Sequence, residues 1–335
     1  MNTDGAPQDN KVSKRRAWIF TRASRPGFGD LMAGGERRRA FTKYWVKDTL
    51  VDLIDFSVHF ILRAVPMDLC SHVGARIGSF AIPRYFKVQV TRARALIAYL
   101  HPDLDDTARG AMLTAYMAAQ GRLMTEFSII TRLLRHQDRI LLNGFQEHMF
   151  AAARKGPVII VGMHLGNWEI GPIILHDEGI RPYANYVPPK GRAKAWISAR
   201  VRAAVGLNFL PPGLTGVRPS LKILKNGGAI SMFCDEGAGG KIRGPLFGRE
   251  PHAQGNLAVA VRLSRMTGAP ICPWYNLRRD GARYEAWSLP AIILPPEDKP
   301  GARLMDDIAL VNGVIEPVIR ANLAQWYFID NEIPT

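Results

Sequence analysis

Along residues 41–137 the apolar positions recur at helical spacing. Residues 41–82 are the most apolar long stretch, carrying Phe41, Trp45, Leu50, Leu53, Ile54, Phe56, Phe60, Ile61 and Leu62 and followed by Pro66. Asp48, Asp52, Asp55, His59 and Arg63 interrupt it at about one helical turn. A spanning helix needs roughly 20 mostly uncharged residues. The pattern therefore predicts an amphipathic helix lying in a membrane interface, or a membrane-facing hairpin with residues 67–82. A buried helix of a soluble domain fits the same spacing. Residues 83–137 continue as helices: one from Val88 to Leu100 ends before His101-Pro102, and Asp105-Asp106-Thr107 can cap the next, which runs to Phe127 and Ile130. Met112, Met117 and Met124 recur on that helix and read as core filler.

Beyond residue 138 the pattern changes. Ile140–Asn143 is a short strand, and 145–153 a helix. Val158-Ile159-Ile160-Val161, between Gly156-Pro157 and Gly162, is a β-branched run of the kind buried on both faces of a parallel sheet. Strands at 180–187, 207–210, 229–234 and 268–275 then alternate with helical segments, as βαβ units do. Residues 283–289 read as an antiparallel partner of 268–275, and a final helix as 306–324. The expected fold class is α/β: a mostly parallel central sheet flanked by helices, with an N-terminal helical, membrane-associating region. The expected organisation is a basic, partly disordered arm over 1–40, a helical region over 41–137 and an α/β core over 138–335, the last two forming one unit.

Charge narrows the choice of partner. The chain of 335 residues has a formal net charge of +15. Such a field favours nucleic acid, an anionic membrane surface, acidic carriers or phosphorylated substrates. No zinc-finger spacing, aromatic RNA-binding strand or basic zipper helix is present, so membrane and phosphorylated lipid rank above nucleic acid. Lys14-Arg15-Arg16 and Arg37-Arg38-Arg39 would draw the arm to anionic lipid. Cys70, Cys234 and Cys272 show neither disulfide nor metal spacing, which suits a reducing compartment. The first forty residues hold no apolar signal segment.

The candidate chemistry follows the central run. His164 ends it in a turn containing Gly166 and Asn167, with Glu169 five positions on. A strand that stops at a His delivers the imidazole to the carboxyl edge of the sheet, where ligands of open α/β sheets bind. If a helix starts at Asn167, Glu169 lies in its first turn and can reach one ring nitrogen, leaving the other as a base. The same residues also fit a plain strand–turn–helix junction. Asp235-Glu236 follow the 229–234 strand at another carboxyl edge and could orient a hydroxyl, hold a cation or pair with Arg. The Gly-rich stretch 237–248, with Lys241 and Arg243, could cradle a phosphate.

His164-Leu-Gly-Asn-Trp-Glu169 resembles the HX4D/E signature of glycerolipid-type acyltransferases, in the HxGNWE form of the late lipid A acyltransferases. Asp235-Glu236 is similar to the Asp-Gln that group carries, with Glu replacing Gln. Pro245-Leu-Phe-Gly248, the 267–273 junction and Gln325-Trp326 look like further blocks of the group, and the resemblance covers roughly residues 45–327. It implies transfer of an acyl chain from acyl-ACP or acyl-CoA to a hydroxyl of a lipid A precursor or related phosphorylated lipid, with no metal or other cofactor. His164 would be the general base, Glu169 its orienting carboxylate, and N–H groups of 165–167 the oxyanion site. Asn167, Lys190, Arg200, Asp235, Glu236 and Arg243 would contact substrate. Acyl carrier protein and an anionic membrane surface are the implied partners, at the cytoplasmic face of the inner membrane. A lysophospholipid or glycolipid acceptor is the alternative within the chemistry. A non-catalytic, membrane-peripheral lipid-binding protein is the alternative outside it.

Overall fold

The computed structural model describes residues 25–211, 213–238 and 240–333. The expected cluster Lys14-Arg15-Arg16 and most of the basic arm lie outside them. Helices come first: α1 (Asp48–Ala64), α2 (Met67–Tyr85), α3 (Lys87–Leu100) and α4 (Asp106–Glu126). Asp105 caps α4 as its position suggests, its side chain accepting the Ala108 N–H at 2.7 Å. Helices α2 and α4 run backbone against backbone. A Cβ on Gly74, Gly78 or Gly121 would fall within 2.6 Å of the facing carbonyl oxygen, so only Gly allows the approach. Of the three methionines on α4, Met117 is buried, Met112 packs at the core margin, and Met124 faces out at 74% exposure, against expectation.

The strands are β1 (Ile140–Asn143), β2 (Val158–Gly162), β3 (Tyr183–Asn185), β4 (Asn208–Leu210), β5 (Ala229–Phe233), the small pair β6 (Gly237–Ala238) and β7 (Lys241–Ile242), β8 (Ile271–Arg278) and β9 (Tyr284–Ser288). Seven form one sheet in the order β1-β9-β8-β2-β5-β3-β4, parallel throughout except for the β8–β9 hairpin. Every residue of β2 is buried, as its unbroken apolar run requires. Between strands lie α5 (Gly171–His176), α6 (Arg192–Ala204), α7 (Val217–Lys225) and α8 (Asn256–Thr267), with α9 (Leu304–Ala321) closing the chain. Two cores result. One packs α3, α4, α7, α8 and α9 on the face of Ile159, Val161 and Ile230. The other packs α5 and α6 on the face of Val158 and Ile160.

Helix α1 departs from the expected picture in an instructive way. Asp52, Asp55 and His59 turn inward, while Arg63 stays exposed. Asp52 takes Arg192 Nε at 2.6 Å and the Ala193 N–H at 3.0 Å, Asp55 lies 3.8 Å from Lys194, and His59 Nδ1 meets Ser128 Oγ at 3.0 Å. The face left to solvent carries Leu50, Leu53, Ile54, Val58 and Ile61, each at least half exposed. No helix among the described residues is long and apolar enough to cross a membrane.

Candidate active site

Register builds the site. β2 and β5 are parallel neighbours that end level, Gly162 opposite Phe233. His164 and Asp235 each stand two residues further on, so the two strand tips present them side by side. His164 Nδ1 lies 2.9 Å from Asp235 Oδ1. The other oxygen, Oδ2, accepts the backbone N–H of His164 at 2.6 Å and the indole N–H of Trp326 at 2.8 Å. Asp235 is fully buried, and these donors replace the water it gives up. A carboxylate only accepts, so the proton on the ring sits on Nδ1 and the lone pair on Nε2. Nε2 makes no hydrogen bond among the described residues, and His164 lines a cavity.

The turn after His164 is held from three sides. Gly166 has φ +59°, and a Cβ there would lie 2.5 Å from the Asn276 side-chain oxygen. Asn276 Oδ1 takes the Asn167 N–H at 2.9 Å, and its amide donates to the Leu165 carbonyl at 3.2 Å. The Gln325 carbonyl accepts the Gly166 N–H at 3.2 Å, and Tyr327 N–H donates to the His164 carbonyl at 2.9 Å. Below lies a buried ion pair. Glu126 receives Arg278 at 2.8 and 2.6 Å, Ser71 at 2.6 Å, Tyr284 at 2.9 Å and Asn167 Nδ2 at 3.0 Å. Burial alone would push the Glu126 carboxyl up, but Arg278 and these donors hold it below its ordinary range.

Several expected placements change. Glu169 does not orient His164. A 3₁₀ turn over Trp168–Ile170 carries it to Arg202, which it grips through Nε at 3.0 Å and through Nη2. Burial would lower the Arg202 pKa, but Glu169 more than offsets this and raises it. Asn167 is wholly buried beneath the turn and does not face the cavity. The N–H groups of Leu165, Gly166 and Asn167 are already taken, by Met163, Gln325 and Asn276, so they are not an oxyanion site. Lys190 and Arg200 are exposed and outside the cavity lining; Arg200 instead lies 4.8 Å over the Trp196 ring. Arg243 likewise turns outward, to Gln254 at 3.2 Å. The Gly-rich stretch forms the β6–β7 hairpin, and Leu246 and Phe247 are buried beyond it.

The cavity holds about 540 Å³. It opens where the sheet parts. β3 and β5 share only the pairs Tyr183–Ile230 and Ala184–Ser231, and past them Tyr186, Met232 and Phe233 line the gap. One end carries His164, Glu236 and Asn256; the walls carry Leu175, Leu207, Val217 and Val259, with the Glu169–Arg202 pair at the side. Phe233, Trp168 and Phe328 surround the imidazole at ring distances of 4.1, 4.8 and 5.0 Å. Arg202 was hidden from sequence reading among the other bases of its helix. Among the described residues no group of three or more His, Cys, Asp or Glu could hold a metal ion.

The model of the bacterial lipid A biosynthesis acyltransferases matches residues 33–333. The chain belongs to that family. It is an O-acyltransferase, and the resemblance carried by the His164 block is borne out. No curated protein matches the chain significantly. A solved 1-acyl-sn-glycerophosphate acyltransferase of Thermotoga maritima aligns at 12% identity over 68% of this chain and 97% of its own, with a TM-score of 0.34, too distant a likeness to carry an argument.

Proposed function

We propose that this acyltransferase moves a fatty acyl group from a thioester donor, acyl-ACP or acyl-CoA, directly to a hydroxyl of a lipid A precursor or related phosphorylated lipid. The observation that carries the reading is the Asp235–His164 pair with Nε2 free at the cavity. A hydroxyl is far too weak an acid to ionise unaided near neutrality, so a positioned base must take its proton as it attacks. The hydroxyl oxygen bonds to the thioester carbon while its proton passes to Nε2. Asp235 stabilises the imidazolium. The tetrahedral oxyanion collapses, the C–S bond breaks, and the thiolate leaves with the proton from Nε2 to give ester and thiol.

Direct transfer is favoured because, among the described residues, no Ser or Cys nucleophile adjoins the ring. The neighbouring thiol, Cys234, is buried, and burial pushes its pKa far up. Arg202, held by Glu169 on the cavity wall, is the cation available to the oxyanion or to a donor phosphate. Purified protein given acyl-ACP and acyl-CoA with lipid A precursors and lysophospholipids, read by product mass, tests the reading. His164→Ala should abolish transfer; near-wild-type product from that variant sinks it.

The same reading places the protein at an anionic membrane, the inner membrane's cytoplasmic face. The support is α1, whose Asp52 and Asp55 pair with α6 inside while its apolar side faces out, with the exposed cations Lys43, Lys47 and Arg63 toward its two ends. Leu53→Asn with Ile61→Asn, which removes apolar area without adding charge, should weaken binding to phosphatidylglycerol vesicles at least about tenfold. Unchanged binding overturns the placement.

A further inference from the structure

Glu236 is a charged residue of the cavity lining that the mechanism leaves unused. Its backbone follows Asp235 at the tip of β5, and its side chain lines the end of the cavity that holds His164. Oε1 accepts the N–H of Asn256, the first residue of α8, at 2.7 Å. The chain makes room for this: Gly255 has φ +85°, and a Cβ there would lie 2.7 Å from that oxygen. Asn256 Nδ2 in turn holds the Phe233 carbonyl at 2.7 Å, so strand tip, carboxylate and helix start are locked together. Oε2 makes no hydrogen bond among the described residues. One oxygen is thus fixed by the start of α8 while the other is left over, on a residue that lines the cavity.

The charges around it decide what it faces. Asp235 is a second carboxylate next to it, already occupied by three donors. The His164 ring is close enough to act on it electrostatically, and the Arg243 side chain reaches to Gln254. Burial, and then Asp235, hold the Glu236 carboxyl above its ordinary range, while the Asn256 N–H, His164 and Arg243 pull the other way. Ionised, the wall beside the base accepts hydrogen bonds and repels anions; protonated, its free oxygen would donate instead.

We infer that Glu236 is a specificity-determining residue. Its free oxygen selects an acceptor that offers a donor, a hydroxyl or amide N–H, beside the reacting hydroxyl, and turns away a phosphate at that place. The inference rests on the reading that the acceptor hydroxyl approaches His164 through this cavity. The substrate's phosphate is then directed elsewhere, toward Arg202 or the basic surface. A Gln at this position would accept and donate, and so would not exclude phosphate.

The test measures binding without an acyl donor, so that no turnover is needed. Monoacylglycerol and lysophosphatidic acid of equal chain length, in the same detergent, are titrated against wild type, Glu236→Gln and Glu236→Ala. The readout is indole fluorescence from Trp168 and Trp274 in the cavity lining. Wild type should prefer monoacylglycerol at least about tenfold, the scale of a like-charge clash at a partly buried contact. Glu236→Gln, which keeps the Asn256 cap, should shrink that ratio at least about fivefold through tighter lysophosphatidic acid binding. Glu236→Ala should lose the preference as well. An equal ratio in all three proteins, no preference in wild type, or no saturable binding overturns the inference. A wild type that shows the preference yet consumes no thioester in the separate transfer assay sinks the catalytic reading and leaves the selectivity standing.

Discussion

Replacing Asp235 by Asn tests the orienting carboxylate with almost no change in shape. The local donors fix which way the new amide points. Oδ2 receives two N–H groups, from the His164 backbone and Trp326, at 2.6 and 2.8 Å, so the amide oxygen must take that place. The amide NH₂ then occupies the Oδ1 position, 2.9 Å from His164 Nδ1. Two donors cannot share one bond, so the shorter contact now favours Nδ1 as acceptor and the ring proton on Nε2, against the Asp235 backbone carbonyl that lies 3.2 Å from Nδ1. In that tautomer the nitrogen facing the cavity can no longer take a proton. General base catalysis contributes roughly 10²–10⁴-fold, and the same carboxylate-to-amide change in hydrolytic triads costs about 10⁴. We expect kcat to fall about 10³–10⁴-fold, or roughly 4–5.5 kcal/mol of transition-state stabilisation. Acyl transfer followed by product mass measures it, with circular dichroism confirming an unchanged fold. A rate within tenfold of wild type would refute the argument that Asp235 sets the tautomer.

Other outcomes follow from the surrounding contacts. Glu169→Gln should leave the His164–Asp235 pair intact but loosen Arg202, lowering kcat about tenfold in the same assay, with Glu169→Ala worse because it strands a largely buried cation. Gly166→Ala should cost about 2 kcal/mol or more in denaturant unfolding, since φ is +59° and the new methyl meets Asn276. Glu126→Gln should cost about 3–5 kcal/mol by leaving Arg278 unpaired in the interior. Because the Glu126 carboxyl is held below its ordinary value of 4.5 in the folded state, its stabilisation is complete above that pH. It is lost as pH falls below 4.5, so acid unfolding of wild type should be steeper there than that of the Gln variant.

What the sequence revealed was what local pattern can encode. The β2 run, its Gly turn and His164 at the tip are contiguous, and the 271–278 and 284–288 hairpin announces itself by Asp280-Gly281 between two strand-like runs. The partner of His164 was not local. Asp235 meets it only because β5 lies beside β2 in matched register, a fact of sheet order separated by 71 positions in sequence. Glu169 looked like the partner because one helical turn would bring it back, but a 3₁₀ turn and the pull of Arg202 send it elsewhere. The same limit hid Trp326. Its block was visible as a motif, yet its indole acts on Asp235 from the far end of the chain.

Helix α1 shows how composition misleads when the direction of each side chain is missing. Asp52, Asp55 and His59 argued against a single membrane span as long as they were counted with the apolar residues around them. In the fold they face α6 and Ser128, and what remains outside is apolar. The inward charges also have a mechanical consequence. Asp52 and Asp55 hold Arg192 and Lys194 in the first turn of α6, and the last turn of that helix carries Arg202, which Glu169 fixes on the cavity wall. The face we propose for lipid and the cation we propose for the reaction thus sit at opposite ends of α6, each held by its own ion pairs. Breaking the first pair with Asp52→Asn, on a residue that does not line the cavity, should therefore disturb Arg202 as well as α1. If acyl transfer in detergent survives that change undiminished while vesicle binding falls, the two ends are independent and this coupling is refuted.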